Sequence, residues 1–180
     1  MRISRGFLVL AIFAGLPIAE GQSAQPAQSA QSAQPAAPNL SITISTPDEV
    51  VKAGSEVKVK VLFTNSSDQV ISMSHTLAPN PGEVDNWIDV RDENGKLAPQ
   101  TQYGKKIKGD ESTPPAATNA SSMAVEMKPG ETARAHIQVT KLFDLSRPGK
   151  YTIQVDRFDR LENGSGAWAK SNIITVTVIP

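Results

Sequence analysis

An all-β, antiparallel Ig-like sandwich of about seven to nine strands is predicted by three features of this 180-residue chain. Short runs alternate apolar with polar residues, turn residues separate the runs, and a helical apolar period is missing. The cleanest case is the run from Lys141 to Asp159, KLFDLSRPGKYTIQVDRFD. Tyr151, Ile153 and Val155 fall on one face of an extended chain, and Lys150, Thr152, Gln154 and Asp156 fall on the other. Pro148-Gly149 turns the chain just before it. A turn that delivers a Tyr to the start of such a strand is the pattern of a tyrosine corner, so Tyr151 is assigned a structural role. Its hydroxyl is expected to bond to the backbone near Asp144 to Ser146.

The other elements follow in chain order. Leu40, Ile42 and Ile44 alternate with Ser41 and Thr43, and turns at Thr46-Pro47-Asp48 and Ala53-Gly54 follow. A second strong strand, Glu56 to Asn65, points Val57, Val59, Val61 and Phe63 inward. After the turn cluster Asn65 to Asp68, Val70 to Leu77 is a strand with Ile71, Met73, His75 and Leu77 on one face. Ala78 to Asp85 is expected as loop, and Trp87 to Arg91 as a short strand with Trp87 opposite Ile88 and Val90. Asn94-Gly95 then favours a tight hairpin. Pro99 to Ser122 loses all periodicity and is expected to be an excursion without an element of its own. Ser122 to Met127 and Thr132 to Thr140 alternate again, the latter with Ala133, Ala135, Ile137 and Val139 inward. Leu161 to Lys170 reads as a Gly-rich loop holding Trp168, and Asn172 to Ile179 closes the sheet with Ile174, Val176 and Val178 inward.

The domain is expected to span residues 39 to 180, behind two segments of other character. Residues 1 to 21 have a positive end (Arg2, Arg5), an apolar centre (Phe7 to Ile18) and a small-residue region at Ala19 to Gly21, the three parts of a signal peptide. Their apolar run is shorter than the roughly 20 residues of a membrane span, so no span is expected after cleavage between Glu20 and Gln25. Residues 22 to 38 contain only Gln, Ser, Ala and Pro and read as a disordered tether. The expected location is extracytoplasmic, periplasmic or secreted. Cys is absent, so the core must hold without disulfides. Removing Arg2, Arg5 and Glu20 takes the 18 basic and 18 acidic residues to 16 and 17, a near-neutral balance that argues against a nucleic-acid partner.

The succession FTNSSDQVISM (Phe63 to Met73), DVRDENGK (Asp89 to Lys96), MKPGET (Met127 to Thr132) and RPGKYTI (Arg147 to Ile153) resembles bacterial Ig-like domains of the proteinase-inhibitor (BsuPI) type. The resemblance covers most of residues 50 to 156 and implies the sandwich fold and, as one activity, proteinase inhibition. The chain departs from antibody-type domains in having Ile153 where their second Cys follows the corner Tyr, and Arg147 where an Asp often precedes it.

Nucleophilic catalysis needs a base beside a Ser, Cys or Thr, and the two His residues are His75, on an apolar strand face, and His136, on an outward one. With no GxSxG turn, no catalytic residue is assigned and the chain is read as a non-enzyme without cofactor. Met73 and His75, two apart on one face, are the candidate ligands of an alternative, a periplasmic copper protein, since thioether and imidazole suit Cu(I). Calcium could be sought at Asp89, Asp92, Glu93 and Asn94 or at Asp156, Asp159, Glu162 and Asn163, but hairpin and loop chemistry explain both groups. N-x-Ser triplets begin at Asn39, Asn65, Asn119 and Asn163. The leading expectation is a monomeric, exported module that binds a protein or cell-surface partner or acts as a spacer, with secreted proteinase inhibition as an alternative. Its binding residues are placed in the excursion, where Tyr103 lies beside Lys105, Lys106 and Lys108, and at Trp168.

Overall fold

A computed structural model describes residues 37–77, 81–109, 121–160 and 166–180. Ten strands occur among them: β1 (Leu40–Ser45), β2 (Val50–Lys52), β3 (Lys58–Asn65), β4 (Ile71–Thr76), β5 (Trp87–Asp92), β6 (Ser122–Met127), β7 (Thr132–Gln138), β8 (Gly149–Arg160), β9 (Gly166–Lys170) and β10 (Ile174–Ile179). Three short helices accompany them: α1 (Pro81–Asp85), α2 (Gln102–Lys108) and α3 (Val139–Leu142). One sheet runs β1-β3-β7, a second runs β2-β10-β8-β5 with β9 also on β8, and β4-β6 form a two-stranded sheet.

Alternation in the sequence sets the register. β3 pairs antiparallel with β7 so that Val59 meets Ile137 and Phe63 meets Ala133, while β5 pairs with β8 so that Ile88 meets Val155 and Val90 meets Ile153. The inward side chains of both sheets, with Met127 of β6, form one core cluster. Val59, Val90, Ile153, Val155 and Val176 are wholly buried, and each such side chain contributes about 1.5 to 3 kcal/mol relative to exposure. The chain is therefore an Ig-like β-sandwich, all-β in class and closed without a disulfide.

Four expectations need correction. The excursion after Pro99 is not featureless, because its first part is α2. Thr101 caps that helix by accepting from the Gly104 N–H at 2.9 Å, and Gly109 closes it with its N–H on the Lys105 carbonyl at 2.8 Å. A seven-residue helix shows too little of a 3.6 period to stand out among lysines. Residues 81 to 85, expected as loop, form α1 with Pro81 at its start, a position where the missing N–H is not needed. The strand read through Thr140 stops at Gln138, and Val139 keeps its place in the core as the first residue of α3. Finally, β8 extends to Arg160 and pairs with β9, so Trp168 stands on a strand rather than in a loop. Residues 50 to 52 also form a strand that the reading by turns passed over; β2 lies parallel to β10, the one parallel pair among the described strands.

Candidate binding face

The predicted binding residues of the excursion fall on two sides of α2. Lys105 and Lys106 are exposed, but Tyr103 and Lys108 reach to α1. The Tyr103 hydroxyl donates to Glu83 Oε2 at 2.9 Å, and the Lys141 ammonium lies 4.0 Å from Glu83 Oε1, so this nearly inaccessible carboxylate is held by a phenol and a cation. Lys108 donates to the Val84 carbonyl at 3.2 Å and to the Asn86 carbonyl. Burial pushes its ammonium down to about 8, against the opposing charges of Asp85 and Glu83.

Behind them Arg157 is buried. It donates to Asn86 Oδ1 at 3.3 Å and to the Ser74 carbonyl, lies 4.0 Å from Asp85 Oδ2, and sits 5.4 Å from the centroid of the Phe63 ring. Desolvation lowers its pKa, though Asp85 and Asp159 oppose that shift. Asp85 also accepts from the Thr76 N–H at 3.0 Å and from the Thr76 hydroxyl. These bonds tie α1 to β4, α2, α3 and β8. Lys108 is thus half-buried against α1, which sequence position alone did not disclose, whereas Tyr103 bonds to Glu83 through its hydroxyl and stays 37% exposed.

Met73 and His75 do share one cavity, of about 120 Å³, but Arg157 and Asp85 line it with them. The guanidinium repels a cation there, and His75 Nδ1 lies 3.7 Å from Asp85 Oδ2. Groups of three or more His, Cys, Asp or Glu suited to a metal do not occur among the described residues. Asp92 Oδ1 accepts from the N–H groups of Asn94 and Lys96, both at 2.9 Å, and Asp89 pairs with Arg91 at 2.8 Å, so the first acidic group serves its hairpin. Asp159 accepts from the Asn39 N–H at 2.8 Å, while Glu162 and Asn163 lie outside the described residues.

Trp168 leads elsewhere. On β8 the residues that alternate away from the core are Lys150, Thr152, Gln154, Asp156, Phe158 and Arg160, flanked by Trp87, Asp89 and Arg91 of β5 and by Trp168 and Lys170 of β9. Trp87, Phe158 and Trp168 are 54%, 50% and 53% exposed. Register places Trp87 and Lys170 on either side of Asp156, and Trp168 opposite Phe158 in the next outward row. The Phe158 and Trp168 rings meet edge to face, with centroids 5.5 Å apart and planes at 67°. Phe158 lies over Gly166, where an added Cβ would come 2.1 Å from its ring.

Beside these rings the same face dips into a concavity of about 290 Å³ lined by Asp89, Arg91, Thr152, Gln154, Lys170 and Ile173. Asp156 Oδ2 sits 3.2 Å from the Lys170 ammonium, and its Oδ1 is buried with no hydrogen-bond partner. Gln154 donates its amide to the Ser171 carbonyl at 2.9 Å. Chemically, the face offers flat apolar rings beside paired charges, an arrangement suited to holding a ligand. Trp87 and Phe158 were missed as binding candidates although their alternation with Ile88, Val90, Val155 and Arg157 marked them as outward-facing.

No family model matches this chain. No curated protein matches it either. Among solved structures, it is similar to the CARDB domain of a Pyrococcus furiosus protein, with 16% identity over 79% of this chain and 95% of that one and a TM-score of 0.38. It is also similar to BslA, a bacterial hydrophobin, with 13% identity over 79% and 96% of the two chains and a TM-score of 0.35. A β-glucosidase from Erythrobacter marinus matches at 11% identity over 79% of this chain but 16% of the enzyme's, with a TM-score of 0.38. At these identities the likenesses carry no activity across.

Proposed function

We propose that this protein is an exported, monomeric, non-enzymatic Ig-like module that binds a cell-envelope component through the outer face of β5, β8 and β9. The observation that carries the reading is that both tryptophans of the chain and Phe158 stand half-exposed on that one face. Leaving large rings in water is unfavourable, and clustered exposed aromatics mark contact sites. Export rests on the composition of residues 1 to 21, and the tether of residues 22 to 38 would let the module reach its target.

Retention of purified protein on envelopes of the producing organism tests this. Wild type and a Lys105→Ala, Lys106→Ala double variant should be retained, and Trp87→Ala and Trp168→Ala should be lost into the wash. Equal retention of all four proteins would remove the face from the account, and no retention of any would remove the envelope.

A further inference from the structure

We infer that the ligand of this face is a neutral glycan chain, an inference that rests on the binding role proposed for the Trp87, Phe158 and Trp168 surface. A sugar ring presents a flat C–H face that stacks on an aromatic ring, and an edge of hydroxyls that both donate and accept. The protein face has the matching halves. Its rings supply the stacking surfaces, while Asp89, Gln154, Asp156 and Lys170 supply planar or flexible polar groups next to them.

Charge selects among ligands. Asp89 is neutralised by Arg91 at 2.8 Å, and Asp156 by Lys170 at 3.2 Å, so the trough offers no unpaired cation to a phosphate or an acidic polymer. A lipid surface or a second copy of the chain would favour continuous apolar area, whereas here ion pairs interrupt the rings. Asp156 adds a specific need: its Oδ1 is a buried acceptor without a donor, lying in the row between Trp87 and Lys170. Buried acceptors are ordinarily satisfied, and a hydroxyl that entered between those side chains would satisfy this one. The aromatic rows also set the ligand's size. Trp87 and Trp168 are two strands and one outward row apart, roughly 10 Å across and 7 Å along the sheet, so contact with both needs a chain of sugars rather than one.

Hexasaccharides of β-1,4-linked glucose, N-acetylglucosamine and mannose are the probes, read by intrinsic tryptophan fluorescence and by competition against envelope retention. At least one should give a saturable shift and release the protein from envelopes. Its Kd should change by less than about twofold between roughly 50 and 500 mM salt, because no phosphate-type ion pairing is involved. Trp87→Ala and Trp168→Ala should each weaken it by about tenfold or more, as loss of a stacking ring does elsewhere. Envelope retention that depends on the tryptophans, resists all three sugars and vanishes after protease treatment of the envelopes would overturn the glycan inference and leave the face as a protein-docking site. A dimer in sedimentation that Trp168→Ala dissociates would overturn it in favour of self-association. Retention indifferent to both tryptophans would instead defeat the binding face itself.

Discussion

The Tyr151 hydroxyl donates to the Arg147 carbonyl at 2.9 Å, spanning the Pro148-Gly149 turn and pinning the start of β8 to the segment before it. The corner was expected to close on Asp144 to Ser146. That segment turns on itself, with the Ser146 N–H on Asp144 Oδ1 at 3.0 Å, and the carbonyl of Arg147, next along the chain, accepts the bond instead. Replacing Tyr151 by Phe keeps the ring packed but strands that acceptor, and should cost about 1 to 2 kcal/mol in urea unfolding. Burial, then Asp144, raises the phenol's pKa. A folded pKa above the unfolded value means that this stabilisation is complete below about pH 10 and is lost as pH rises through the folded value. Tyr151→Phe should therefore remove part of the wild type's stability loss in strong alkali; an unchanged urea midpoint would dismiss the corner as a stabilising contact.

Lys108 works in the opposite direction. Its folded pKa of about 8 lies below the usual lysine value because burial penalises the ammonium, so the unfolded chain binds more protons between about pH 8 and 10.4. Stability from this group should rise with pH across that window, by a slope approaching one proton, while below pH 8 the burial penalty stays constant. Lys108→Met removes the titration, and denaturation curves from pH 7.5 to 10 should then be flatter than those of the wild type. Parallel curves for the two proteins would mean that the ammonium is hydrated.

Much of the sandwich is legible because a half-buried strand writes its fold into a period of two residues, as Leu40 to Ile44, Val57 to Phe63 and Tyr151 to Val155 do. Short helices escape such a reading. α1 and α3 contain five and four residues, and what holds them is contact with distant groups, Lys108 and Arg157 for α1, Thr101 and Glu83 for α3. The candidate face was half legible: outward alternation marked Trp87 and Phe158, but the meeting of Phe158 with Trp168 depends on the pairing of β8 with β9. Gly-rich sequence around Trp168 concealed that strand.

Asn65 shows how a surface motif can be an interior one. Its triplet marks a glycan acceptor, yet Asn65 is buried, with its amide on the Gln69 and Met127 carbonyls at 2.7 and 2.9 Å. Its Oδ1 accepts from the Ser67 N–H and hydroxyl at 3.0 and 2.7 Å. Expressed through a glycosylating secretory route, the folded protein should carry no sugar at Asn65, as peptide mass mapping would reveal. Asn65→Ala strands several of these groups and should destabilise by about 2 to 3 kcal/mol.

Loop-closure entropy alone predicts that excising the excursion changes stability little. Its first part proves to be integral. Thr101 donates to the Lys141 carbonyl while capping α2, Tyr103 and Lys108 satisfy α1, and the backbone of α2 passes so close to α3 that a Cβ on Gly104 would sit 2.1 Å from the Leu142 carbonyl oxygen. A backbone atom cannot swing aside as a side chain would, so Gly104→Ala must prise α2 from α3 and loosen the bonds around Glu83. We expect it to cost about 2 kcal/mol or more, in the range of overpacking a closed interior. Replacing residues 100 to 121 with a Gly-Ser linker should cost at least as much, because it leaves Glu83 buried without its phenol. The two urea midpoints decide the matter: a linker variant as stable as wild type would mean that α2 contributes nothing to the sandwich, whereas loss in both variants would make residues 101 to 109 an integral part of the fold.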